Sequence, residues 1–167
     1  IKLNKGKLVI VGDGPMLPAL EKLANASKAS EIQFIGHKPS EEVYKIVAGS
    51  LAVIVPSICW DNNPNAVSEA MAIGKPVIGS RIGGIPEQID EGVTGMLFEP
   101  GNIDNLSECL SALYNDKNKA INMGIAGQNK ALKEYNAEKY YVNLMKVYEE
   151  VYDNHKRPLV NVPAEME

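Results

Sequence analysis

Short apolar runs rich in valine and isoleucine recur along the chain, each stopped by Gly, Pro or Ser and followed by a longer stretch of helical spacing. The runs are KLVIV at Lys7 to Val11, EIQFI at Glu31 to Ile35, LAVIV at Leu51 to Val55, PVIGS at Pro76 to Ser80, and the shorter GMLF at Gly95 to Phe98. Unbroken runs of this kind are typical of strands buried on both faces. The intervening spacing predicts helices near 15–28, 40–48, 64–73 and 84–89, then three more near 103–115, 117–133 and 137–153. Alternating strand and helix implies parallel strands joined by right-handed crossovers, an α/β fold with a Rossmann-like doubly wound parallel sheet and helices on both faces. Local signals agree: Pro39-Ser40-Glu41-Glu42 offers a cap and first-turn acids, and Asn63-Pro64 an Asn cap before proline at the first helical position. From His155 the sequence HKRPLVNVPAEME has no period, which predicts one domain over 1–154 and an extended or disordered tail over 155–167.

Composition adds limits to this picture. With 167 residues, 45% of them hydrophobic and 23% charged, the chain can build a core without disulfides or metals. Seventeen basic against twenty-one acidic residues give a formal charge of −4, so the counterion release that drives nucleic-acid binding has no source. Cys59 and Cys109, fifty positions apart and without a neighbouring histidine, suggest neither a zinc cluster nor a disulfide, and a reducing cytoplasm fits. No apolar run approaches the ~20 residues of a membrane span. The start, IKLNKGKLVIVGDGP, lacks the pattern of a signal peptide and leads directly into a strand, as in a chain that begins inside a larger protein.

Ligands of open parallel sheets collect beyond the carboxyl ends of the strands. The residues there are polar or glycine-rich: Gly12-Asp13-Gly14-Pro15, Gly36-His37-Lys38-Pro39, Pro56 to Asn65, and Arg81-Ile82-Gly83-Gly84. Such loops suit phosphate approach, although every α/β loop needs turn residues. The segment from Pro56 to Ile78 is the most informative. On a helix beginning at Pro64, Val67, Ala70, Met71 and Gly74 share one arc, which must face the sheet, while Asn65 and Glu69 lie opposite. Asp61 precedes the helix, so two carboxylates bracket its N-terminus at roughly two turns, on the order of 10 Å. That span suits a nucleoside diphosphate lying across the helix end, held by N–H groups around Asn63 to Ala66. From spacing alone, Asp61 reads more readily as a turn residue and Glu69 as part of a solvated face.

Taken together, these motifs resemble the C-terminal, donor-binding half of a GT-B glycosyltransferase of family 4, the glycosyl transferases group 1. The resemblance rests on KLVIVGDGP, FIGHKPSEEVYKIV, LAVIVPS, the D-x7-E pair Asp61 and Glu69, EAMAIGKPVIGSRIGGIPEQI and GVTGMLFEPGNIDNLSECL, in that order. It implies a retaining transfer of sugar from a nucleotide-diphosphate donor, a UDP- or GDP-sugar, to an acceptor hydroxyl in polysaccharide or glycoconjugate synthesis. By position, the family's first acid falls on Asp61, against donor-sugar hydroxyls, and its second on Glu69, against the ribose; these two are the candidate catalytic residues. Asp61 is one methylene shorter than the commoner Glu. The resemblance further implicates Asn62, Asn63, Asn65 and Ala66 through their backbone amides, His37 and Lys38 beside the nucleobase, Gly12 and Gly14 on the floor, and Gly83 and Gly84 near the phosphates.

The resemblance implies no cofactor and no catalytic metal, and no D-x-D occurs in the sequence. An Arg and a Lys that neutralise the leaving diphosphate in family members precede the first strand found here, and Lys2, Lys5 and Lys7 do not take their place. An N-terminal acceptor-binding domain of the same polypeptide is the implied partner, with a cytoplasmic setting that extends to a peripheral position at the membrane through that half. Alternative functions are a non-catalytic nucleotide-binding module and a GT-B epimerase or phosphorylase. Trp60 is read as a wall of the sugar pocket or as a buried or half-buried loop anchor. Tyr140, Tyr141, Tyr148 and Tyr152 share helical spacing and read as packing for the last helix or as a contact with the missing domain.

Overall fold

The computed structural model describes residues 6–26 and 31–155. Along the chain run β1 (Leu8–Ile10), α1 (Leu17–Ala26), β2 (Ile32–Phe34), α2 (Ser40–Ala48), β3 (Val53–Val55), α3 (Asn65–Ala72), β4 (Val77–Ser80), α4 (Ile85–Gln88), β5 (Gly95–Phe98), α5 (Ile103–Asn115), α6 (Lys117–Glu134) and α7 (Ala137–His155). The hydrophobic pattern located every one of these, with ends that coincide or differ by at most two residues. Residues 27–28 of the first expected helix and 156–167 of the expected tail lie outside the described residues, and residue 155 closes α7.

All paired strands are parallel, as the alternation requires. Their ladders fall into two groups: β1 pairs with β2, and β3-β4-β5 form a three-stranded unit. Among the described residues no ladder joins β1 to β3, so the parallel architecture is divided where the sequence alone suggested continuity. The two groups also differ in burial. Every residue of β4 is buried, whereas β1 and β2 are half-buried at best, so the expectation of strands covered on both faces fails for the first two.

Around β4 the period-two alternation builds two cores. Val77 and Leu97 turn to one face with Val67, Ala70, Met71, Ile85 and Ile89, while Ile78 and Phe98 turn to the other with Cys109, Leu113, Ala120 and Met123. Helices α3 and α4 therefore cover one face and α5 the other. Helix α6 closes tightly on the segment after α3, where a Cβ at Gly124 would overlap the Gly74 carbonyl. By contrast α7 buries none of its residues, and Tyr140, Tyr141, Tyr148 and Tyr152 are exposed. The expected burial of these tyrosines as packing for the last helix is therefore not met among the described residues.

Candidate functional site

The loops that leave the strands are positioned by a small set of bonds. Ser80, fully buried at the end of β4, donates from Oγ to the Ser57 carbonyl (2.7 Å), and this ties the loop after β3 to the neighbouring strand. Downstream, Gly84 N–H donates to the Asp61 carbonyl (2.8 Å). A Cβ at Gly83 would overlap the Asp61 carbonyl, and one at Gly84 the Asn62 carbonyl. Gly83, at φ +58°, also needs glycine for its backbone. The glycine pair thus has a structural role, since it lets the loop after β4 seat the acid-bearing loop directly.

Asp61 and Glu69 are both exposed to solvent, as helical geometry required of Glu69. One Asp61 oxygen, Oδ1, accepts the Asn63 backbone N–H at 3.1 Å, so the turn role left open by the sequence is realised. Its other oxygen has no partner among the described residues. The Asn63 amide is therefore engaged inside the loop and is not free for a ligand, contrary to the expected series of four donating amides. Among the described residues, free N–H groups remain on Asn62, Asn65 and Ala66. The helix start also differs from the expectation: Pro64 occupies the N-cap and Asn65 the first helical position, and no side chain caps the helix. Asn63 is drawn elsewhere, because its Oδ1 accepts Gln88 Nε2–H at 2.6 Å.

A second cluster lies on the other strand pair. Gly12 N–H donates to the Gly36 carbonyl (2.8 Å), which links the loops after β1 and β2 through one of the expected floor glycines. No Cβ contact would arise at Gly12 or Gly14. His37 is exposed, and Lys38, half-buried, lies 3.7 Å from Glu42. The structure brings Asp61, Asn62, Asn63, Gly83, Gly84 and Gln88 together, and Gly12 with Gly36, but among the described residues no bond joins the two sets.

Positive charge near the strand ends is already paired. Arg81 meets Glu91 through two Nη2 contacts of 3.0 and 2.9 Å and Glu99 through Nε at 3.1 Å. Hydrogen bonding to Glu91 raises its pKa further above an already high value, so it stays a charged strut between loops. Trp60 is 84% exposed and Ile58 80%, so Trp60 is not the buried anchor considered from sequence. Gln88 and Ser80 escaped sequence reading. The one available signal for Gln88 was an amide set between Ile85 and Ile89 on the buried side of a short helix. No group of three metal-ligating side chains occurs among the described residues, and no helix there is long and apolar enough to cross a membrane.

Comparison with known proteins gives the family and the fold. Residues 2–130 match the family model of the glycosyl transferases group 1. An uncharacterized glycosyltransferase of Methanocaldococcus jannaschii is 32% identical over 144 residues, 86% of this chain, and the chain spans 40% of that relative's length. Among solved structures, HepE of Anabaena in complex with UDP-glucose superimposes with a TM-score of 0.78 at 21% identity, covering 86% of this chain and 41% of HepE. The C-terminal domain of the group 1 family protein LpcC of Francisella tularensis gives 0.74 at 23% identity, covering 81% and 73%. With its parallel α/β architecture, the chain belongs to the glycosyl transferases group 1 family and has the fold of a GT-B glycosyltransferase.

Proposed function

We propose that the chain is the nucleotide-sugar-binding half of a retaining glycosyltransferase, one that moves a sugar from a nucleotide-diphosphate donor to an acceptor hydroxyl held by a preceding domain of the same polypeptide. The observation that carries this reading is the start of α3, where the free N–H groups of Asn65 and Ala66 stand between two solvent-accessible carboxylates, Asp61 and Glu69. The diphosphate rests on those amides and on Asn62 N–H. Glu69 takes the ribose hydroxyls, and the Asp61 oxygen left over from the turn takes a sugar hydroxyl. His37 and Lys38 border the base, with Gly12 and Gly14 beneath. UDP-glucose in HepE supports a nucleotide-sugar partner.

Chemically the burden falls on the leaving group. As the glycosidic bond breaks, negative charge grows on the diphosphate, and preorganised N–H groups stabilise it where water is excluded. The paired state of Arg81 and Lys38 favours a second reading, a nucleotide-binding module without transfer, because neither cation is free to neutralise the diphosphate. The two readings separate by product analysis with a radiolabelled nucleotide sugar and the full-length polypeptide. Binding is tested first, by calorimetry with UDP, GDP, ADP and their glucose conjugates. Glu69→Ala is expected to weaken nucleoside-diphosphate binding by about 10- to 100-fold, the range for a hydrogen bond to a charged group. Unchanged affinity removes Glu69 from the ribose.

A further inference from the structure

Gln88 is 4% exposed, and its Oε1 is a buried side-chain polar atom without a partner, the only such side-chain atom among the described residues. A buried orphan carbonyl oxygen is a cost, and the arrangement around it explains why the cost is accepted. Gln88 Nε2 donates to Asn63 Oδ1 at 2.6 Å. Turning the Gln88 amide over would set its oxygen against the Asn63 oxygen. Turning both amides over would keep the bond but bury the Gln88 NH₂ where Oε1 now lies, leaving donors unpaired instead of an acceptor, and an under-satisfied carbonyl is the milder defect. The polarity of the pair is therefore set from the buried end. Asn63, exposed and anchored a second time by its backbone to Asp61 Oδ1, keeps Oδ1 inward and presents Nδ2, without a partner among the described residues, to solvent.

Building on the proposed donor site, we infer that Gln88 is a positioning residue that locks the Asn63 carboxamide with its amino group outward, as a side-chain donor to the diphosphate. This gives Asn63 a role that its engaged backbone amide cannot have. It also sets that donor two and three residues from the free amides of Asn65 and Ala66, so side chain and helix start address the same anion. An isosteric carboxylate, introduced by Gln88→Glu, would reverse the lock. The new carboxylate accepts from Asn63 Nδ2 and turns the Asn63 amide over, so that Asn63 Oδ1 faces the phosphate.

The test is a titration of the ¹⁵N-labelled 167-residue chain with UDP-glucose, read by amide resonances, which report weak binding as well as strong. In the parent chain the Asn63 side-chain NH₂ pair and the backbone amides of Asn65 and Ala66 are expected to shift with one common Kd. Gln88→Met, close in length and free of the orphan oxygen, should melt no lower than the parent yet bind about tenfold more weakly. Gln88→Glu should bind more weakly still, which a role in packing alone would not produce. Asn63→Ala should lose about the same tenfold, and adding Gln88→Met to it should cost nothing more. If Asn63→Ala binds like the parent, or the two losses add in full, the inference is overturned while the donor site stands. If the amides of 62–66 do not respond, or Glu69→Ala changes nothing, the donor site itself falls and this inference with it.

Discussion

The β1–α2 region and the β3–α6 region carry the same kind of sequence and reach different degrees of burial. Helix α1 and helix α2 bury none of their residues, and Leu23 is 66% exposed, whereas Val67, Met71, Val77, Ile78 and Ile85 are fully buried. KLVIV and PVIGS look alike on paper. What separates them is neighbours: β4 has a strand on each side and helices on both faces, while among the described residues β1 and β2 each have one paired edge. An apolar run therefore states a demand for cover, and the topology decides whether the demand is met. The candidate donor loops divide along the same line, with Asp61, Gly83, Gly84 and Gln88 in the packed region and Gly12, His37 and Lys38 in the sparse one.

The largest expected contrast is in core truncation. Met71→Ala should destabilise by about 2–5 kcal/mol, since a fully buried side chain leaves a cavity, whereas Leu23→Ala should fall within about 0.5 kcal/mol. Chemical denaturation of both variants checks this, and equal losses would erase the distinction between the regions. A smaller effect is expected in hydrogen exchange. Amides of β1 and β2 should exchange at least about tenfold faster than those of β4 under native conditions, a gap of about 1.4 kcal/mol in opening free energy. Mass spectrometry of the peptides spanning Leu8–Ile10 and Val77–Ser80 would show it, and matched rates would make the molecule one cooperative unit.

The smallest effect concerns pH and sharpens the packed half alone. Burial raises the pKa of the Cys109 thiol above its ordinary range, so the folded state favours the neutral form. The unfolded thiol ionises first as pH rises. Stability from this group is therefore complete below the ordinary thiol pKa and is lost as pH climbs toward the raised native value. Urea unfolding at about pH 7 and about pH 10 should show a steeper decline in the parent than in Cys109→Ala. Identical slopes would mean that Cys109 does not contribute.

Much of the candidate site could be read from residue spacing. The placement of Val67, Ala70 and Met71 inward and Glu69 outward follows from the 100° step of a helix once its face is chosen, and the structure agrees. The first turn was less readable. Asn63 before Pro64 looks like a cap because local propensity favours it, but a tertiary partner, Gln88, twenty-five residues away, takes its side-chain oxygen instead. Gly83 and Gly84 looked like phosphate glycines; contacts with the Asp61 and Asn62 carbonyls supply a reason that spacing could not contain.

The sequence alone determined the element order, the parallel strand sense and the outward placement of Glu69, because these follow from periodicity and from the short range of backbone geometry. Tertiary structure alone decided which strands are covered, which amides at the α3 start remain free, and which way the Asn63 carboxamide turns. Those outcomes depend on groups far apart in the chain competing for the same hydrogen-bond partners and the same volume, and no local pattern records the result of that competition.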